Sequence, residues 1–113
     1  MAITTFLAIR KSDRKIIGII DIRHNLGNKF LAEYGGHIGY AARPSERHKG
    51  YATQLLRMAL KYGKSLNLTK VMLGCYADNI ASIKTITKCG GVLTETKPYV
   101  DGKPMNVYWI EID

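Results

Sequence analysis

Little in this chain of 113 residues could hold a metal or cross-link the fold. Its two cysteines, Cys75 and Cys89, sit in no metal-ligand spacing, and its three histidines are scattered. The expectation is therefore reduced thiols, no structural zinc and no metal site. No apolar run approaches the roughly 20 residues of a membrane span. The start, Met1-Ala2-Ile3-Thr4-Thr5-Phe6, lacks the basic stretch that opens a signal peptide. These absences predict a cytoplasmic protein with no membrane partner. Repeats, linkers and low-complexity tracts are missing too, and the length suits one domain over residues 1–113. Acidic residues are scarce, 9 against 17 basic ones, for a formal charge of +8. Such a balance suits an anionic partner. Nucleic acid is one class of anion, but the charges are spread along the chain, with no aromatic-basic interleaving. A hydrophobic content of 46% suits a globular chain and argues against disorder.

What is present centres on the stretch from Arg43 to Thr53. The apolar run Ile38-Gly39-Tyr40-Ala41-Ala42 leads into it, and an amphipathic run from Ala52 to Leu66 leads out. A strand thus feeds a short turn that opens a helix. Such a turn aims backbone N–H groups at one point, with the positive end of the helix dipole behind them. Arg43, Arg47, His48 and Lys49 add charge, so the point suits an anion, phosphate above all. Gly50 permits a backbone geometry that a Cβ would obstruct. The stretch is neither a Walker A loop nor a dinucleotide fingerprint, since Gly50 is its only glycine.

In chain order, Thr4 to Ile9 and Ile16 to Arg23 read as strands joined by the polar turn Lys11-Ser12-Asp13-Arg14-Lys15, an antiparallel hairpin. Strict alternation puts Ile17, Ile19, Asp21 and Arg23 on one face and Ile16, Ile20 and Ile22 on the other; Gly18 suits a bulge. A polar connection with glycines follows, then a strand from His37 to Arg43. In the helix, Ala52, Leu55, Leu56, Ala59, Tyr62 and Leu66 share one face. Val71 to Tyr76 is the next strand, and strand, helix and strand in this order predict a right-handed parallel crossover. Asp78 or Asn79 caps a second helix, with Ile80, Ile83 and Ile86 facing inward, and Gly90-Gly91 ends it. Val92 to Val100 and Met105 to Ile112 form a last hairpin, with Trp109 expected in the core.

Arg47-His48-Lys49-Gly50-Tyr51-Ala52 matches Arg/Gln-x-x-Gly-x-Gly/Ala. It resembles the pyrophosphate loop of the GNAT superfamily of N-acetyltransferases. Asp78 to Gly91 is similar to that family's Asn-x-x-Ala/Ser helix, and the order of elements looks like the family's fold from its second strand onward. The resemblance implies an α+β fold, a mostly antiparallel mixed sheet with a central parallel splayed pair and two main helices. It implies an acetyl transfer from acetyl-coenzyme A to an amine of a small molecule or protein. The backbone from Tyr40 through Ala41, Ala42 and Arg43 would take the pantetheine arm. Arg47, His48, Lys49, Gly50, Tyr51, Ala52 and Thr53 would take the pyrophosphate, and Asn79 and Ser82 the pantetheine.

Two departures stand out. Ile86 occupies the place where the family commonly has the Tyr that protonates the leaving thiolate. The family's first strand and two helices, which wall the acceptor site, have no counterpart in the chain. These departures keep a non-catalytic acyl-coenzyme A binding module as an alternative, with a basic nucleic-acid-binding domain behind it. A homodimer through the early strands or the C-terminal hairpin would cover apolar surface left open. Acetyl transfer needs a base near the amine, and Glu33, His37 and Tyr40, with Asp21, are the candidates.

Overall fold

The computed structural model describes residues 3–24, 36–42 and 50–112. Its first three strands are β1 (Ile3–Ile9), β2 (Ile16–Arg23) and β3 (Ile38–Ala42). They make an antiparallel sheet in the order β1-β2-β3. Helix α1 (Tyr51–Ser65) follows, then β4 (Lys70–Tyr76), α2 (Ile80–Lys88), β5 (Val92–Pro98) and β6 (Pro104–Glu111). The last three strands form a second antiparallel sheet, in the order β4-β6-β5. The splay expected between β3 and β4 goes far enough to divide the hydrogen bonding into two sheets. Among the described residues they are joined by a bridge between Gly36 and Leu73.

His37 makes that junction. Its N–H donates to the carbonyl of Met72 at 2.8 Å, and its own carbonyl accepts from the N–H of Arg23 at 2.7 Å. One residue thereby ties β2 to β4.

The expected facing of β2 needs one correction. Ile20 and Ile22 are buried as the alternation required, but Ile17 is buried and Ile16 exposed. Ala8 pairs with Gly18 while Ile9 pairs with Ile16, so Ile17 is the extra residue of a bulge. A bulge shifts the side-chain parity by one position, which exchanges the faces of the residues before it.

Helix α1 follows its pattern. Leu55, Leu56 and Ala59 are buried, and the helix packs on β2 and β3. They join Ile20, Ile22, Ile38, Val71, Leu73, Cys75, Ile86, Tyr108 and Ile110 in one core. Each such aliphatic side chain contributes about 1.5–3 kcal/mol by leaving water.

In α2 the expected inward row holds only in part. Ile86 is buried and Ile83 packs against the core, but Ile80 is exposed. At about 100° per residue, each step of three falls roughly 60° short of a full turn. Ile80 therefore points well away from Ile86. The helix ends in a Schellman arrangement: Gly91 N–H donates to Ile86 O, Gly90 N–H to Thr87 O, and Gly90 has φ +94. A Cβ on Gly91 would stand 2.4 Å from Ile86 Cγ2.

Trp109 is half-buried and lies outside the core, against expectation. It pairs across the ladder with Met72 on one side and Val92 on the other. The Lys70 ammonium sits 5.0 Å from its ring centre, and the His37 ring meets it edge-on at 6.1 Å.

Candidate functional site

Because β3 and β4 part beyond His37, a cleft opens between them. Its volume is about 330 Å³. Ile38, Gly39 and Tyr40 form one wall, and Leu73, Gly74, Cys75 and Tyr76 the other. Asn79 and Ser82, from the start of α2, close one side, with Arg23, Tyr99 and Met105 completing the lining. The edge of β3 away from β2 pairs with no other named strand among the described residues. Backbone donors and acceptors on that edge are the kind of groups that an extended amide ligand can satisfy.

Tyr40 reaches across to α2. Its hydroxyl lies 3.0 Å from Ser82 Oγ. Burial pushes the phenol pKa above its ordinary value, with the Ser82 hydroxyl opposing and the Cys75 and Cys89 thiols adding to the rise. Tyr40 is thus kept protonated at neutral pH. Burial likewise pushes up the Cys75 thiol, again with Ser82 opposing, and the Cys89 thiol, where Arg57 opposes. Both cysteines are free, and among the described residues no cluster could hold a metal ion.

Asn79 is the N-cap of α2. Its side-chain oxygen accepts from the N–H of Ser82 at 3.2 Å. The cap and the cleft lining are therefore the same residue. Ser82 has its N–H occupied by Asn79, which leaves its hydroxyl for Tyr40.

Gly50 is the N-cap of α1, in the left-handed region at φ +81 and without a side-chain cap. Among the described residues, a Cβ there would meet nothing within 4 Å. Tyr51, Ala52 and Thr53 form the first turn, with no acidic residue among its positions. The Tyr51 hydroxyl accepts from Arg10 Nη1 at 3.4 Å, and Thr53 O lies 4.0 Å from Cys89 Sγ. Ala41 lies on β3 opposite Ile19, and Ala42 opposite Gly18. The expected contacts Arg43, Arg47, His48 and Lys49 lie outside the described residues, as does Glu33.

His37 does not line the cleft. It is buried, and its Nδ1 accepts from the N–H of Met72 at 3.0 Å. A ring nitrogen that accepts carries no proton, so the neutral ring holds its proton on Nε2. Burial lowers its pKa below the usual 6.5. Asp21 bonds the Thr5 hydroxyl at 2.7 Å on an exposed part of the first sheet.

Several lining residues were not singled out as site residues from the sequence. Arg23 donates through Nη1 to Gly36 O at 3.3 Å, and its guanidinium lies over Gly39. Tyr76 donates to Asp101 Oδ2 at 2.7 Å, which raises the phenol pKa; the N–H of Lys103 and then this hydroxyl lower that of the carboxyl. Tyr99 meets the Tyr76 ring edge-on at 5.8 Å. Gly74 and Tyr76 share a face of β4 by simple alternation, but only the position of the β5–β6 hairpin brings Tyr99 and Asp101 to it.

The family described as Acetyltransferase (GNAT) domain matches residues 2–92. An uncharacterized N-acetyltransferase of Bacillus subtilis (strain 168), YnaD, is 33% identical over 70 residues, which are 61% of this chain and 41% of that protein. A mutant of the spermidine N-acetyltransferase SpeG from Vibrio cholerae superposes with a TM-score of 0.80 at 20% identity, covering 97% of this chain and 64% of that one. The acetyltransferase yncA from Salmonella typhimurium, solved with its cofactor acetyl-CoA, gives 0.68 at 17% identity, covering 87% of this chain and 59% of that one. At these identities the solved structures speak for the fold alone.

Proposed function

The chain belongs to the GNAT acetyltransferase family, and from that premise we propose that it moves an acetyl group from acetyl-coenzyme A to an amine. The observation that carries this reading is the open edge of β3 beside the cleft. β3 ends at Ala42, and α1 begins after Gly50. An extended donor lying along that edge would have its thioester in the cleft and its pyrophosphate at the first turn of α1. Backbone groups of Tyr40, Ala41 and Ala42 would pair with the pantetheine amides. The backbone of Gly50 to Thr53 would receive the pyrophosphate, with Arg43, Arg47, His48 and Lys49 supplying charge. That no described residue would meet a Cβ on Gly50 fits this role, since a phosphate needs room that a side chain would fill. Asn79 and Ser82 would meet the pantetheine near the thioester.

Glu33 remains the proposed base, directly or through water, and His37, buried outside the cleft lining, a base only through water. The engaged Nδ1 of His37 limits its part to Nε2 or to holding the sheets. For the acceptor, Arg23 is the charged residue among the described lining. Such a lining suits an amine on a neutral or anionic molecule, or on a protein, better than a polycation. The cytoplasm is the compartment we propose, which suits the free thiols Cys75 and Cys89. A second copy of the chain is the partner we propose for the exposed face of the first sheet. There Leu7 and Ile9 pair across the ladder with Ile19 and Ile16, and all are exposed.

The test begins with calorimetry. The protein is expected to bind acetyl-coenzyme A, and Gly50→Glu to abolish binding by placing bulk and like charge where the pyrophosphate sits. No binding by the unsubstituted protein would sink the reading, and equal binding by the variant would move the phosphate site elsewhere. Thiol release across a panel of amino acids, amino sugars, polyamines and peptides then reports the transfer. Ile86 favours a second reading. It is 1% exposed and carries no proton to donate. Tight binding with no thiol release for any acceptor would support a non-catalytic acyl-coenzyme A binding module.

A further inference from the structure

Breaking a thioester by an amine leaves a thiolate, and a thiolate leaves faster when a proton meets it. A coenzyme A thiol of pKa about 8.5, like that of cysteine, is partly dependent on such help near neutral pH. Five protic side chains line the cleft near the start of α2: Tyr40, Tyr76, Tyr99, Cys75 and Ser82. Tyr76 already donates its proton to Asp101. Tyr99 stands against Tyr76 on the β5–β6 hairpin side. Cys75 is packed into the core cluster, and Ser82 is too weak an acid to give its proton first. Tyr40 remains, a phenol on the wall of the cleft, 3.0 Å from the Oγ of Ser82, a residue whose backbone N–H is held by the Asn79 cap.

We propose that Tyr40, oriented by Ser82, is the proton donor to the thiolate that leaves when the acetyl group is transferred. This rests on the acetyl-transfer reading above. In the step, the amine nitrogen attacks the carbonyl carbon and the C–S bond breaks, with its electron pair going to sulfur. The Tyr40 O–H proton passes to sulfur, giving the thiol. The nitrogen gives up one proton to the base or to water, and the phenolate regains one from solvent through the Ser82 hydroxyl. Reactants and products balance as amine plus acetyl thioester to amide plus thiol. The positive end of the α2 dipole, beside Ser82, stabilises the transient phenolate. Burial, which holds the phenol protonated at rest, also raises the driving force for its recovery.

The experiment compares the unsubstituted protein with Tyr40→Phe, Ser82→Ala and Ser82→Thr, using an amine from the panel that supports thiol release. Thermal unfolding first establishes that each variant is folded. Tyr40→Phe is expected to lower kcat on the order of 10²-fold, with KM for acetyl-coenzyme A little changed. The fall in kcat at high pH, where the phenol ionises, is expected to vanish in the same variant. Ser82→Ala should lose less, and Ser82→Thr should recover most of that loss. A second donor, an acetyl thioester of an electron-poor aryl thiol, leaves without protonation, so the Tyr40→Phe deficit should narrow with it. An equal kcat in Tyr40→Phe, or a deficit of the same size with both donors, overturns the assignment. Binding of acetyl-coenzyme A without turnover on any amine overturns the acetyl-transfer reading and this assignment together. Turnover that is intact in Tyr40→Phe overturns the assignment alone.

Discussion

At the scale of the residue, His37 turns a general chemical property into a local one. Its Nδ1 must be unprotonated to accept from Met72 N–H. Burial depresses its pKa below 6.5, so the unfolded chain takes up the proton before the folded one does. The stabilisation from the neutral ring is complete above the unfolded pKa and is lost as pH falls through the folded one. The urea midpoint is therefore expected to drop between about pH 7.5 and about pH 5.5. His37→Asn, which can keep an acceptor near the place of Nδ1 without titrating, should drop less. Parallel pH profiles for the two proteins would show that the ring does not carry the effect. Tyr40 illustrates the opposite case, where burial keeps the proton on.

The element that ties stability to the site is α2. Asn79 both caps the helix and lines the cleft. Asn79→Ala should cost about 1 kcal/mol of stability, the ordinary worth of such a cap, measured by chemical denaturation. If Asn79 also meets pantetheine, affinity for acetyl-coenzyme A in the folded variant should fall beyond that loss. Unchanged affinity would leave Asn79 as a cap alone. Helix α1 differs, since its N-cap is Gly50 and offers no side-chain acceptor to its first N–H groups. A helix left without such a cap retains donors for an anion. Exposed on β1 and β2, Leu7, Ile9, Ile16 and Ile19 form a face that α1 does not cover, because α1 packs on the Ile20 and Ile22 side.

For the whole molecule, that uncovered face governs association. Leu7 and Ile9 are each 56% exposed on β1, an edge strand among the described residues. Light scattering is expected to find a dimer, and Leu7→Lys to shift it toward monomer. A monomer across the accessible concentration range, or a dimer indifferent to Leu7→Lys, would remove this face from the assembly. The two sheets meet at His37 and part beyond it, so one junction residue both joins the halves and defines where the cleft begins.

Much of this was legible in the chain itself, because it depends on local periodicity and local caps. The face of α1 followed from residues 3.6 apart, the cap of α2 from the pair Asp78-Asn79, of which the structure uses Asn79, and the end of α2 from Gly90-Gly91. All eight elements stand within a few residues of their expected places. The exceptions have a common cause. The bulge at Ile17 depends on how β1 meets β2 across the ladder, and it reversed a face that alternation alone assigned. Ile80 turned outward because a spacing of three drifts around the helix, and only packing says which member of the row is buried. The pairing of Tyr40 with Ser82 spans 42 positions of sequence, and that of Tyr76 with Asp101 spans 25. Such contacts arise from the splay of two sheets and the placement of a hairpin, which no local pattern encodes. The chain thus determined by itself its elements and the family motif, while tertiary packing decided which hydroxyl faces the cleft and which histidine is committed to holding the sheets.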